Sequence, residues 1–202
     1  MRGPSVILVA LANLAMSACA THYPPPITDL GGRVCAAAPN LQGATSLAFE
    51  PGKAQPQKVT FDEASPCYNG EDGKPHVYAV FTLTAAEQPF MISVASTPQG
   101  AALFPPHIQL LSEAGAIERD IPDTLLQFRG ADLSAQLRSH PGERYLLVRS
   151  AQFVGQKLSR LNAQVSVTST GYANFYSGGD VRTDLALSYN GLVTVVLLPI
   201  PK

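Results

Sequence analysis

The chain has 202 residues, with 14 basic against 15 acidic side chains and a formal net charge of −1 at pH 7. That balance excludes the basic stripe of a nucleic-acid binder, and the length suits one domain with a proper core rather than two. Charged residues make up only 14%, while Gly and Pro number 16 and 17, a profile of short strands joined by turns.

At the N-terminus, Met1-Arg2 is positive, Val6 to Leu14 is almost wholly apolar, and Met16-Ser17-Ala18-Cys19 sets small residues before a cysteine. This is the pattern of a secretory signal peptide. Met16-Ser17-Ala18-Cys19 resembles the lipobox of bacterial lipoproteins, with Met16 where that family usually has Leu. The resemblance implies a signal peptide over 1–18 and an acylated Cys19 that opens the mature protein. Fatty chains such as palmitate would then hold it on the membrane. Ala20, where a retained protein has Asp, implies the outer membrane, facing the periplasm. Two alternatives stay open. Ala18-Cys19-Ala20 also fits an A-x-A cleavage pattern, which would release a soluble periplasmic protein. A retained helix is the third reading, but the apolar run from Val6 to Ala18 is short of the about 20 residues a span requires.

Residues 19–33 then form a lipidated tether, stiffened by Tyr23-Pro24-Pro25-Pro26, because proline fixes φ and cannot join a ladder. A single domain over 34–202 follows. An oxidising compartment allows Cys35 and Cys67 to form a disulfide, with two buried thiols as the other reading. No C-x-x-C or H-x-x-x-H spacing is present, so neither a metal nor another cofactor is expected.

Short strands are expected at Ser46 to Phe49 and Lys58 to Phe61, followed by turn chemistry at Ser65-Pro66-Cys67 and Glu71 to Pro75. Apolar alternation then marks His76–Leu83, Phe90–Ala95, His107–Leu111, Leu125–Phe128, Leu133–Leu137 and Arg144–Arg149. Phe153, Val154, Leu158 and Leu161 recur at roughly helical spacing, so residues 152–161 are read as one short helix. Strands follow at about 163–169 and 183–189. Leu185–Tyr189, Asn190-Gly191 and Leu192–Leu198 spell a two-residue hairpin with a type I′ turn. About ten strands with turns every 8–12 residues predict an all-β fold, an antiparallel β-sandwich of jelly-roll type with at most one short helix.

Phe90 to Val94, Phe104 to Gly115 and Pro141 to Val148 resemble two groups over about residues 89–150. One is the maltose-operon periplasmic protein family, and the other is the pre-peptidase-like jelly-roll domains. The resemblance implies a β-sandwich and a role linked to carbohydrate transport, and it brings no catalytic residues to this chain.

Chemistry is sparse. His22, His76, His107 and His140 are scattered, with no H-E-x-x-H, G-x-S-x-G or P-loop, so no catalytic residue is assigned. Glu118, Asp120 and Asp123 share one loop, where a solvated turn is favoured over a Ca²⁺ site. Asp62-Glu63 and Glu71-Asp72 could act as paired carboxylates only if they met in a cleft. Tyr172, Phe175 and Tyr176 lie in a Gly-rich stretch, a candidate binding loop for a sugar or a protein partner. The leading expectation is a non-enzymatic envelope lipoprotein that binds a protein partner or envelope component. A carbohydrate-binding accessory protein and an uncharacterised hydrolase are the alternatives.

Overall fold

A computed structural model describes residues 23–47, 49, 53–83, 89–169 and 174–200, with backbone alone for 161–168 and 174–181. Residues 1–18, read above as a signal peptide, and Cys19, His22 and Tyr172 lie outside the described residues.

Strands β1 (Thr45–Leu47), β2 (Gln57–Phe61), β3 (Cys67–Asn69), β4 (Pro75–Leu83) and β5 (Phe90–Thr97) open the domain. After them come β6 (Ala102–Leu103), β7 (Pro106–Leu111), β8 (Ile117–Ile121), β9 (Gln127–Arg129) and β10 (Asp132–Arg138). The chain ends with β11 (Tyr145–Ser150), β12 (Lys157–Ser169), β13 (Asn174–Leu187) and β14 (Gly191–Pro199). The fold is all-β, as the composition and alternation imply. No helix among the described residues is long and apolar enough to cross a membrane.

Two sheets form the sandwich. One runs β1-β4-β11-β7-β8, with β3 added beside β4, and the other runs β2-β14-β5-β10-β9. All their pairings are antiparallel except β1 with β4. Strands β5 and β14 alternate buried and half-buried residues, β14 as far as Leu198, so one face of each enters the core. Ile92 and Val94 of β5 and Val195 of β14 meet Val77, Phe81, Leu110 and Leu146 of the opposite sheet in one cluster. Phe61 and Phe104 stack at its edge with centroids 4.0 Å apart and planes within 2°.

Strand β4 departs from simple alternation. His76, Tyr78 and Val80 are buried as well as Val77, Phe81 and Leu83, so both faces of this strand are covered. The second face carries a smaller cluster of Tyr68, Tyr78, Val80, Leu111 and Leu147, with Leu41 and Tyr145 against it.

Several expectations need correction. Residues 152–161 are not a helix: a turn at 152–155 leads into β12. The Gly155 N–H donates to the Leu187 carbonyl and the Leu187 N–H to the Gln156 carbonyl, both at 2.8 Å. Phe153 and Leu158 instead pack on a satellite cluster with Leu103, Leu185 and Leu187, which reproduces a helical spacing without a helix. The Gly-rich stretch is not a loop throughout, because Asn174–Leu187 forms β13 and pairs with all of β12. The acidic stretch Glu118–Asp120 is also a strand, β8, rather than a loop.

The Asn190-Gly191 hairpin does not form. Strand β13 pairs with β12 and β6, whereas β14 pairs with β2 and β5, so the dipeptide is a corner between sheets. Asn190 has no positive φ, which a type I′ turn requires. Its side chain is buried instead, accepting from the Ile27 N–H at 2.8 Å and donating to the Pro25 carbonyl at 3.1 Å. The Tyr189 N–H also donates to the Ile27 carbonyl, and Leu30 enters the main core. Residues 25–30, counted with the tether, therefore belong to the body. Asn190→Ala should cost about 2 kcal/mol, since it removes the bonds to Ile27 and Pro25 and takes an acceptor from the buried Ser188 hydroxyl. Urea unfolding measures that cost, and faster proteolysis within 23–30 should accompany it.

A candidate ligand pocket on the outer face of the disulfide sheet

The covered face of β4 leads to a cavity of about 540 Å³, within the roughly 300–1,000 Å³ usual for small-molecule sites. Its frame begins at the disulfide. Cys35 and Cys67 are bonded with Cα atoms 4.9 Å apart, and Ala36 pairs with Tyr68 as a short parallel bridge. The Ala36 N–H donates to the Cys67 carbonyl at 3.0 Å, and the Asn69 N–H donates to the Ala36 carbonyl at 2.9 Å. From this clamp residues 37–41 form a strap. The Asn40 N–H donates to the Tyr78 hydroxyl at 2.8 Å, and Leu41 reaches the Gly115 turn between β7 and β8. The pocket lies between strap, sheet and turn.

Apolar groups of the lining are chiefly Ala38 and Leu41 from the strap, Leu111 and Leu147 from the sheet, and Ile117 from β8. Polar groups are interleaved with them, among them Tyr68, Glu71, Asp72, His76, Gln109, Asp120 and Arg149. Strand register explains why they gather. Arg149 on β11 stands opposite Tyr78 on β4 and His107 on β7, while Gln109 stands opposite Leu147 and Asp120. Opposed residues point to the same face, so residues far apart in the chain form one polar row.

His76 is only 2% exposed. Its Nδ1 lies 2.7 Å from the Ser150 carbonyl, and its Nε2 lies 3.1 and 3.3 Å from the two Asp72 oxygens. Both ring nitrogens therefore lie within hydrogen-bond distance of an oxygen, and the ring is fixed between β11 and the turn before β4. Arg149 Nη1 is 3.1 Å from His76 Nδ1 and reaches the same Ser150 carbonyl at 3.3 Å. Gly70 permits this close approach, because a Cβ there would come within 2.7 Å of both Asp72 Oδ1 and the His76 ring.

Burial alone would raise the Asp72 carboxyl, but hydrogen bonds from His76 and the Lys74 N–H outweigh it. With the nearby His76 and Arg149 charges, they hold Asp72 below its ordinary 3.8. The ionised carboxylate therefore contributes stability that is fully present above the unfolded value and is lost as pH falls through the lower folded one. Below about pH 4, the unfolding free energy of the wild type should fall more steeply than that of Asp72→Asn. Parallel acid slopes in urea titrations would contradict this account. Tyr68 shifts the other way. Burial raises its phenol, Asp72, Glu71 and Asp120 add to the rise, and Arg149 opposes it.

Ser150, His76 and Asp72 look like a hydrolytic triad by composition, with Ser150 Oγ 3.5 Å from His76 Nδ1. The geometry does not support that role. Ser150 is fully buried and outside the pocket lining, and the Nδ1 it would need is held by its own carbonyl. Asp120 of β8 and Asp123, just beyond that strand, have another task. His107 Nδ1 is 3.0 Å from Asp123 Oδ1, and its Nε2 is 2.6 Å from Asp120 Oδ1, though off the hydrogen-bond line. Asp120 and Asp123 thus bracket a histidine. Among the described residues no group of three His, Cys, Asp or Glu is placed to hold a metal ion.

Of the sequence-derived candidates, the structure joins Cys35 to Cys67 and sets Asp72 and His76 together in the pocket. Asp62 serves a turn, accepting from the Ala64 N–H at 2.9 Å. Phe175 and Tyr176 stand opposite Thr168 and Val167 in the β12–β13 ladder, with side chains outside the described residues, as is the whole of Tyr172. Arg149, Gln109 and Tyr68 were missed, because each looks like an ordinary strand residue until the register aligns them. No protein-family model matches the chain, and no curated protein matches it.

Proposed function

We propose that the protein is a non-enzymatic, lipid-anchored binding protein of the bacterial envelope, acylated at Cys19 and facing the periplasm. A component of the envelope binds in its outer-face pocket. The carrying observation is a pocket of about 540 Å³ whose wall is fixed by a disulfide and whose floor mixes apolar and charged groups. Mixed linings of this size hold small ligands or the end of a larger one. The lipobox-like Met16-Ser17-Ala18-Cys19 supports the anchor. Carbohydrate is the second reading, favoured by the Tyr68 ring and the planar polar groups of Gln109, Asp72 and Arg149 along one wall. The resemblance to maltose-operon periplasmic proteins points the same way.

Two measurements test this. A fatty-acid analogue fed to cells should label the wild type and not Cys19→Ser, and an unlabelled wild type would remove the anchor. Thermal unfolding should be screened against neutral glycans and cell-wall fragments. A ligand that protects the wild type but not Ala38→Trp, which blocks the exposed mouth, would place binding in the pocket. Equal protection of both would move binding elsewhere.

A further inference from the structure

We infer that the Arg149 end of the pocket receives the carboxylate of a small ligand whose apolar body lies against Leu111 and Leu147. This rests on the reading of the cavity as a ligand site, and it follows from where charge is and is not balanced. Asp72 is engaged by His76 and by the Lys74 N–H. Asp120 lies against His107 and accepts from Gln109 at 3.4 Å. Glu71 is exposed, where solvent screens its charge. Arg149 differs from these. Among the described residues no carboxylate lies within 4.0 Å of its guanidinium, and its Nε is buried without a hydrogen-bond partner.

The Nη1 contacts go to the His76 ring at 3.1 Å and to the Ser150 carbonyl at 3.3 Å, which leaves the rest of the fork unmatched. A half-buried, planar cation with a buried Nε short of an acceptor favours a carboxylate, whose two oxygens match the fork in a bidentate pair. Gln109 and the Tyr68 ring stand beside it as further polar neighbours. Leu111 and Leu147 form an apolar floor next to this polar end, which suits a short body rather than a wholly hydrated one. Two sources offer such a group beside an apolar surface: the free C-terminus of a short apolar peptide, and a uronic sugar, whose ring C–H face would lie on the two leucines.

The test uses matched pairs on the full chain: N-acetyl-alanyl-alanine against its carboxamide, and glucuronate against glucose. Calorimetric titration and thermal shift are the readouts. At least one acid should bind about tenfold or more tightly than its neutral partner, a loss expected when a charge-assisted pair is removed. Arg149→Gln should erase that ratio, and Arg160→Gln, on β12 and outside the pocket lining, should keep it. Whether the peptide or the sugar pair shows the ratio identifies the source. Neutral partners that bind as tightly as the acids overturn the carboxylate inference while leaving the pocket as a ligand site. Absence of binding by all four probes overturns it as well. If Arg149→Gln does not fold, the acid-to-neutral ratio on the wild type and on Arg149→Lys decides alone.

Discussion

Replacing Cys35 and Cys67 together by alanine is expected to lower the unfolding free energy by about 3–4 kcal/mol and to release the strap over the pocket. The bond joins residues 32 apart. Closing a loop of that length removes much of the freedom of the unfolded chain, and the cost of unfolding rises accordingly. The second effect is local. Residues 37–41 are tied down at one end by the disulfide and the Ala36 bridge, and further along by the Asn40–Tyr78 contact. Without the covalent tie, two backbone hydrogen bonds and one to a hydroxyl must hold the strap alone. Each is worth about 1 kcal/mol net. Amide exchange over 36–41 should therefore accelerate far more than exchange in β5 or β14, which lie in the opposite sheet. A stability loss below about 1 kcal/mol, with unchanged exchange in the strap, would refute the assignment of the disulfide as the pocket's clamp.

The sandwich was legible because its core strands alternate. Ile92 and Val94 of β5, and Ala135 and Leu137 of β10, are apolar at every second position, and that spacing is a backbone property. The disulfide was legible from two cysteines and the expectation of export, with the alternative of free thiols left open. The pocket was not legible. Its polar row needs Asp72, Gln109, Asp120 and Arg149 from one turn and three strands, and only the register across β11, β7 and β8 brings the strand residues together. His76 illustrates the difficulty. It opens a strand like any surface histidine, yet it is buried because Tyr68, Arg149 and the β3–β4 turn close around it. The helical spacing at Phe153 and Leu158 failed for a related reason. Both residues pack on Leu103, Leu185 and Leu187, contacts supplied by other strands, and tertiary packing overrode the local pattern.

Gly191→Ala should destabilise the protein by about 2–4 kcal/mol, although the sequence Asn190-Gly191 suggests an exposed turn where the change would matter less. Gly191 opens β14 opposite Phe61, and Phe61 stacks on Phe104. A Cβ at Gly191 would lie 2.8 Å from Phe104 Cβ and 3.0 Å from the Phe104 backbone nitrogen. A flexible side chain could yield to such a contact, but a backbone atom in the core cannot move without displacing the stacked ring. The φ of 157° adds a conformation that a side chain rarely adopts. Gly142 supplies the control. Its φ is 91° and nothing lies within 4 Å of its Cβ position, so Gly142→Ala carries the backbone strain without the clash. The difference between the two variants in equilibrium unfolding isolates the close approach to Phe104. If Gly191→Ala costs no more than Gly142→Ala, the corner is not packed against Phe104, and the hairpin reading regains its standing. If it costs appreciably more, an Asn-Gly pair that sequence alone assigns to a surface turn is instead the point where two sheets of the fold meet.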